Sequence, residues 1–123
     1  MKKKLFAAVI GFTVIGISSA SAHTVLIASN PVKSATIKTL PSKITLKFAD
    51  PLLTLGKRAI NRVVVTAPNG AVITTGKDLV QGAILTDPIS VASPVNGRYK
   101  VSYRVSAQDG HIVTGAFTFT LQN

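Results

Sequence analysis

The chain has 123 residues and no cysteine, which limits it to about one ordinary domain without disulfides, thiolate nucleophiles or cysteine-ligated clusters. Its 14 Lys and Arg face only 4 Asp and Glu, a formal charge of +10, yet 46% of the residues are hydrophobic. That apolar share excludes intrinsic disorder, which combines high charge with low hydrophobicity.

The first predicted element is a leader. Lys2, Lys3 and Lys4 precede an apolar run over 5–17, and Ser18-Ser19-Ala20-Ser21-Ala22 supplies the small residues that a signal peptidase reads. The run is shorter than the roughly 20 residues needed to cross a bilayer, so cleavage after Ala22 is expected rather than anchoring. Residues 1–22 are thus a cleaved signal peptide, and 23–123 an exported, soluble, monomeric domain that begins at His23. It keeps eleven basic residues against four acidic ones.

From there the pattern has period two. A β-branched run over 25–28 ends at the turn signal Asn30-Pro31, and Leu40-Pro41 marks the next break. Ile44, Leu46 and Phe48 alternate with Thr45 and Lys47, which predicts a strand with one apolar face. Runs over 62–66, 71–74 and 83–86 follow, punctuated by Pro68-Asn69-Gly70 and Asp87-Pro88. After Asn96-Gly97, Tyr99, Val101, Tyr103 and Val105 alternate with Arg98, Lys100, Ser102 and Arg104. Asp109-Gly110 makes a turn, and Phe117, Phe119 and Leu121 form the last apolar stripe. No window has a convincing amphipathic helix. Seven short strands with frequent turns predict an all-β, antiparallel Greek-key β-sandwich of the immunoglobulin-like or cupredoxin-like kind.

The basic stretch 98–104 resembles a nucleic-acid surface of cations and stacking aromatics. Strand geometry argues otherwise, because both tyrosines share the face of Val101 and Val105 and belong to the core. The cations then form a solvated surface, suited to an anionic membrane or envelope polymer. No nucleic acid is expected.

The histidines carry the chemistry. His23, once at the N-terminus, offers a metal both its α-amine and its imidazole Nδ1. His111 follows Asp109 by two residues, so an extended segment would project both side chains to one side. An Asp-Gly turn alone is usually only a hairpin. Its coincidence with the only other histidine of the mature chain makes a shared metal site a candidate.

Taken together, these segments are similar to the CopC family of small periplasmic copper-binding proteins. The resemblance rests on His23 after the leader, Ser29-Asn30-Pro31, Leu40-Pro41, Leu46-Lys47-Phe48-Ala49-Asp50-Pro51, the 99–105 strand, and Asp109-Gly110-His111 before Gly115-Ala116-Phe117. It implies one Cu(II) ion held by His23, Asp109 and His111, with Asp50 beside the site as a supporting residue. It also implies a periplasmic carrier or buffer in copper homeostasis or resistance, with a membrane copper transporter of the CopD type as partner. The shorter Asp50 stands where relatives usually have Glu, Tyr103 where they often have Trp, and Ser34 where a turn Gly is common. A methionine Cu(I) site is not expected, because Met1 is the only Met and leaves with the leader. The alternatives are a histidine-brace copper oxygenase and an adhesion or assembly sandwich without metal. A filled copper plane argues for a non-enzyme.

Overall fold

A computed structural model describes residues 24–123, and all of them belong to one two-layered β-structure. In chain order the strands are β1 (Leu26–Asn30), β2 (Thr36–Ile37), β3 (Lys43–Phe48), β4 (Arg62–Thr66), β5 (Leu79–Gln81), β6 (Ile84–Pro88), β7 (Gly97–Ser106) and β8 (Ile112–Leu121). One sheet has the order β1-β3-β6-β5 and the other β2-β8-β7-β4. Only the β5–β6 and β7–β8 connections stay within a sheet. The others cross between layers, as a Greek-key sandwich requires.

The layers close over the predicted apolar stripes. Ile44, Leu46 and Phe48 of β3 face Val63 and Val65 of β4, Tyr99, Val101 and Val105 of β7, and Phe117, Phe119 and Leu121 of β8, all buried. Tyr99 stacks on Phe119 with centroids 5.1 Å apart, while its hydroxyl donates to the Val95 carbonyl at 2.6 Å. A buried Tyr bonded to backbone just upstream closes the corner before β7. Arg98, Lys100 and Arg104 point outward, as the alternation predicts.

Eight strands replace the expected seven, and three details differ. β2 is only two residues long and pairs parallel with β8, too short to leave a periodic signal. β5 likewise has only three residues. The run 71–74 is not a strand. Ile73 donates to Val65 on one sheet and accepts from Ser90 on the other side, so the segment straddles the layers and builds a continuous ladder with neither. Ser34 adopts φ 64°, a left-handed conformation that costs an L-residue roughly 1–2 kcal/mol. A glycine at this position would avoid that cost.

Asp87 reads as a turn residue in the sequence, but it is fully buried in β6. Its Oδ1 accepts the Thr75 N–H and hydroxyl, both at 2.9 Å, while its buried Oδ2 has no hydrogen-bond partner. Nearby Asp78 accepts the Val63 N–H at 2.9 Å. Burial pushes the Asp78 carboxyl above the usual range and the Asp87 carboxylate adds to the push, against the Val63 N–H and Arg62. A raised carboxyl pKa makes the native state the stronger proton binder, so stability falls as pH rises through it. Asp78→Asn keeps an oxygen for Val63 and offers an N–H to Asp87 Oδ2. Urea unfolding at pH 7 is expected to show a gain of about 1 kcal/mol, with a flatter pH profile above pH 4. A loss at pH 7 would show that Arg62 outweighs the carboxylate pair.

Candidate metal centre

Asp109 and His111 occupy the tight connection between β7 and β8. Ala107 donates to the His111 carbonyl at 2.8 Å and Gly110 to the Ala107 carbonyl at 2.9 Å. Gly110 has φ 87°, which only glycine adopts cheaply. The two side chains meet as expected, but by turn geometry rather than by strand pleat. Asp109 Oδ1 accepts the His111 N–H at 3.0 Å, and Oδ2 lies 2.7 Å from His111 Nδ1.

That short contact to a carboxylate places the ring proton on Nδ1 and makes Nε2 the nitrogen that carries the lone pair. The imidazole is well exposed, at 63% of its side-chain surface against 32% for Asp109. The carboxylate both orients the ring and adds a negative charge beside it. A nitrogen donor held this way is prepared for a cation.

The support below the turn comes from residues that the sequence did not single out. Gln108 Nε2 donates to the Leu52 carbonyl at 3.1 Å, and Leu53 N–H to Ser106 at 3.0 Å. Buried Asn61 joins both segments, donating to the Leu53 carbonyl at 2.7 Å and accepting from the Ser106 N–H at 2.8 Å. The loop after Asp50 is thereby tied to the end of β7. A lone Asn between Ile60 and Arg62 carries no periodic signal that would reveal such a clamp.

His23 lies outside the described residues. Its neighbour Thr24 is buried, and its hydroxyl accepts the Asp50 N–H at 3.1 Å. Ala49 N–H donates to the Val25 carbonyl at 2.8 Å, so the start of the described chain is docked on the end of β3. Asp50 itself is exposed, and its backbone rather than its carboxylate makes these contacts. Among the described residues no three His, Cys, Asp or Glu side chains form a metal-sized cluster, so Asp109 and His111 come together without Asp50.

Beside this end lies a hollow of about 320 Å³ lined by Thr24, Leu26, Lys33, Tyr103, Val113 and Phe117, among others. The Tyr103 ring meets Phe48 edge-on at 5.4 Å and lies over Gly115, its partner across β7–β8. Burial raises the pKa of its phenol. A Cβ at Gly115 would overlap the Tyr103 hydroxyl and ring. Gly115→Ala must displace Tyr103 from Phe48, an overpacking cost of about 1–3 kcal/mol. Thermal melting is expected to shift down by roughly 4–8 °C per kcal/mol for a domain of this size. An unchanged melting temperature would mean that the ring swings aside freely.

The chain as a whole is similar to known proteins. The CopC domain family model matches residues 26–122. Copper resistance protein C of Pseudomonas syringae pv. tomato is 34% identical over 113 residues, covering 84% of this chain and 83% of that protein. The crystal structure of CopC from Methylosinus trichosporium OB3b aligns with a TM-score of 0.67 and 25% identity, over 81% of this chain and 94% of that one. PcoC, a methionine-rich copper resistance protein from Escherichia coli, shares the fold, with a TM-score of 0.64 and 23% identity over 81% and 99% of the two chains.

Proposed function

Because the chain belongs to the CopC family, we propose that it is an exported Cu(II) carrier or buffer that serves copper resistance or homeostasis. In this reading signal cleavage after Ala22 frees the α-amine of His23, and that amine, its imidazole, His111 and Asp109 hold one Cu(II) ion. Asp50 supports the site from the second rank. The observation that carries the reading is the Asp109–His111 pair, with its 2.7 Å contact fixed on a clamped turn.

The donor chemistry fits the metal. Nitrogen and carboxylate donors suit tetragonal Cu(II), which heads the divalent series in affinity. Soft Cu(I) would seek sulfur, and the chain offers no Cys and only Met1. The methionine richness of PcoC has no counterpart here. Two imidazoles, an amine and a carboxylate fill a copper plane, which favours storage and transfer over catalysis. Export would place the protein in the periplasm, where a membrane transporter of the CopD type is the fitting recipient.

Thr24 supports the placement of His23. Consecutive Cα atoms lie about 3.8 Å apart, and Thr24 docks on Asp50 at this end of the sandwich, which favours His23 as a donor to the site. A competition titration of the 23–123 chain with a calibrated Cu(II) chelator tests the reading. One tightly bound Cu(II) per chain is expected, with Zn(II) held more weakly. Absence of binding would overturn it, and sustained oxidation of a polysaccharide with copper, reductant and peroxide would favour an oxygenase.

A further inference from the structure

The outer face of the β2-β8-β7-β4 sheet carries a charge pattern that copper chemistry does not use. Arg98, Lys100 and Arg104 project from alternate positions of β7, all exposed. Register places Arg62 of β4 directly opposite Arg104, so two like charges face each other across the sheet. Such a pair is destabilising unless an anion lies between or above the two cations. None of the four strands contains an acidic residue.

No salt bridge among the described residues engages these four cations, Arg62 included; the only one is Asp109 with His111. Around the cations the same face shows small hydroxyl residues: Thr114 beside Arg104, Thr118 beside Lys100 and Thr120 beside Arg98. None of the four cations lines the hollow beside Tyr103. The result is a basic surface spread over two strands rather than along a line.

We propose that this face docks on the surface of an anionic phospholipid bilayer, with headgroup phosphates neutralising Arg62, Arg98, Lys100 and Arg104. The two-dimensional spread fits a plane of phosphates better than a threadlike polyanion. Nucleic acid would also seek stacking aromatics, and Tyr99 is fully buried while Tyr103 packs edge-on against Phe48. A protein partner would seek an aromatic anchor at the centre of the face, where Ser102 pairs with Ala116 and Val64. Arginine forks pair with phosphate oxygens two at a time, which suits three of the four cations.

The β7–β8 turn lies at the end of this sheet, so docking holds the Asp109–His111 turn at the rim of the contact. The proposal stands independently of copper. Each basic side chain near an anionic surface contributes about 1 kcal/mol, which is about fivefold in affinity. Screening also shortens its reach, from about 8 Å at physiological salt to about 3 Å at 1 M.

Vesicle cosedimentation provides the test, using the 23–123 chain, which contains both sheets and the whole core. Binding is expected to phosphatidylglycerol–phosphatidylcholine vesicles at low salt, but not to phosphatidylcholine alone, and it is lost in 1 M salt. The outward-facing triple variant Arg98→Gln, Lys100→Gln, Arg104→Gln should bind about a hundredfold more weakly. Its circular dichroism should match the parent and its melting temperature should not fall, because these side chains are exposed and Arg104→Gln removes the like charge facing Arg62. Lys43→Gln with Lys47→Gln, on the opposite sheet, is the charge control and should cost much less. Undiminished binding by the triple variant would overturn the proposal, as would an equal loss in the control. Tighter binding to a single-stranded oligonucleotide than to the vesicles would overturn it in favour of a nucleic-acid surface.

Discussion

His111→Ala is expected to weaken Cu(II) binding by on the order of a thousandfold, because loss of a ligand exceeds the 10–100-fold cost of losing an outer partner. The side chain is 63% exposed, and its ring is held by Asp109 rather than by the core. The fold should therefore survive, with unchanged melting. Asp109→Asn separates two contributions of the carboxylate. An asparagine oxygen still accepts the His111 N–H, but the negative charge beside the ring is gone. If Asp109 only orients the imidazole, its loss falls in the range of about 10–100-fold. A loss as large as that of His111→Ala would instead make it a full ligand. Undiminished affinity in His111→Ala would place the metal elsewhere and end the proposed donor set.

The second large effect concerns the N-terminus. A chain that retains Ala22 has an amide in place of the His23 α-amine, so the two-nitrogen chelate of amine and imidazole is lost. Cu(II) affinity should drop by several orders of magnitude relative to the chain that starts at His23, since metal binding needs a donor with an available lone pair. Thr24 is already buried against Asp50 by hydrogen bonds that involve no terminal amine, so the added residue should leave stability unaltered. Mass spectrometry of the exported protein and a competition titration of both forms check the prediction. Equal affinities would remove the chelate from the mechanism.

Much of the fold was legible because burial alternates wherever a strand has one wet face. Ile44, Leu46 and Phe48, and likewise Tyr99, Val101 and Val105, declare their inward face by period alone. The Asp109-Gly110-His111 turn was legible too, since Gly110 permits the backbone and the short spacing brings carboxylate to imidazole. Sequence could not show that a turn rather than an extended segment makes that contact. Nor could it show the segment at Ile73, whose hydrogen bonds are divided between two layers that are distant in sequence.

What the tertiary structure alone decided are the long-range polar contacts. Thr24 meets Asp50 across 26 positions, Asn61 meets Ser106 across 45, and Gln108 meets Leu52 across 56. Such contacts depend on which strands become neighbours, and local periodicity contains no information about that. The same holds for Asp87, which looks like a turn residue beside Pro88 but enters the interior because β6 lies between β3 and β5. It holds again for Arg62 and Arg104, whose opposition exists only in the β4–β7 register. The sequence by itself determined the strands, the turns and the types of donor; sheet pairing decided which polar groups would meet, because hydrogen bonding acts over about 3 Å whatever the separation along the chain.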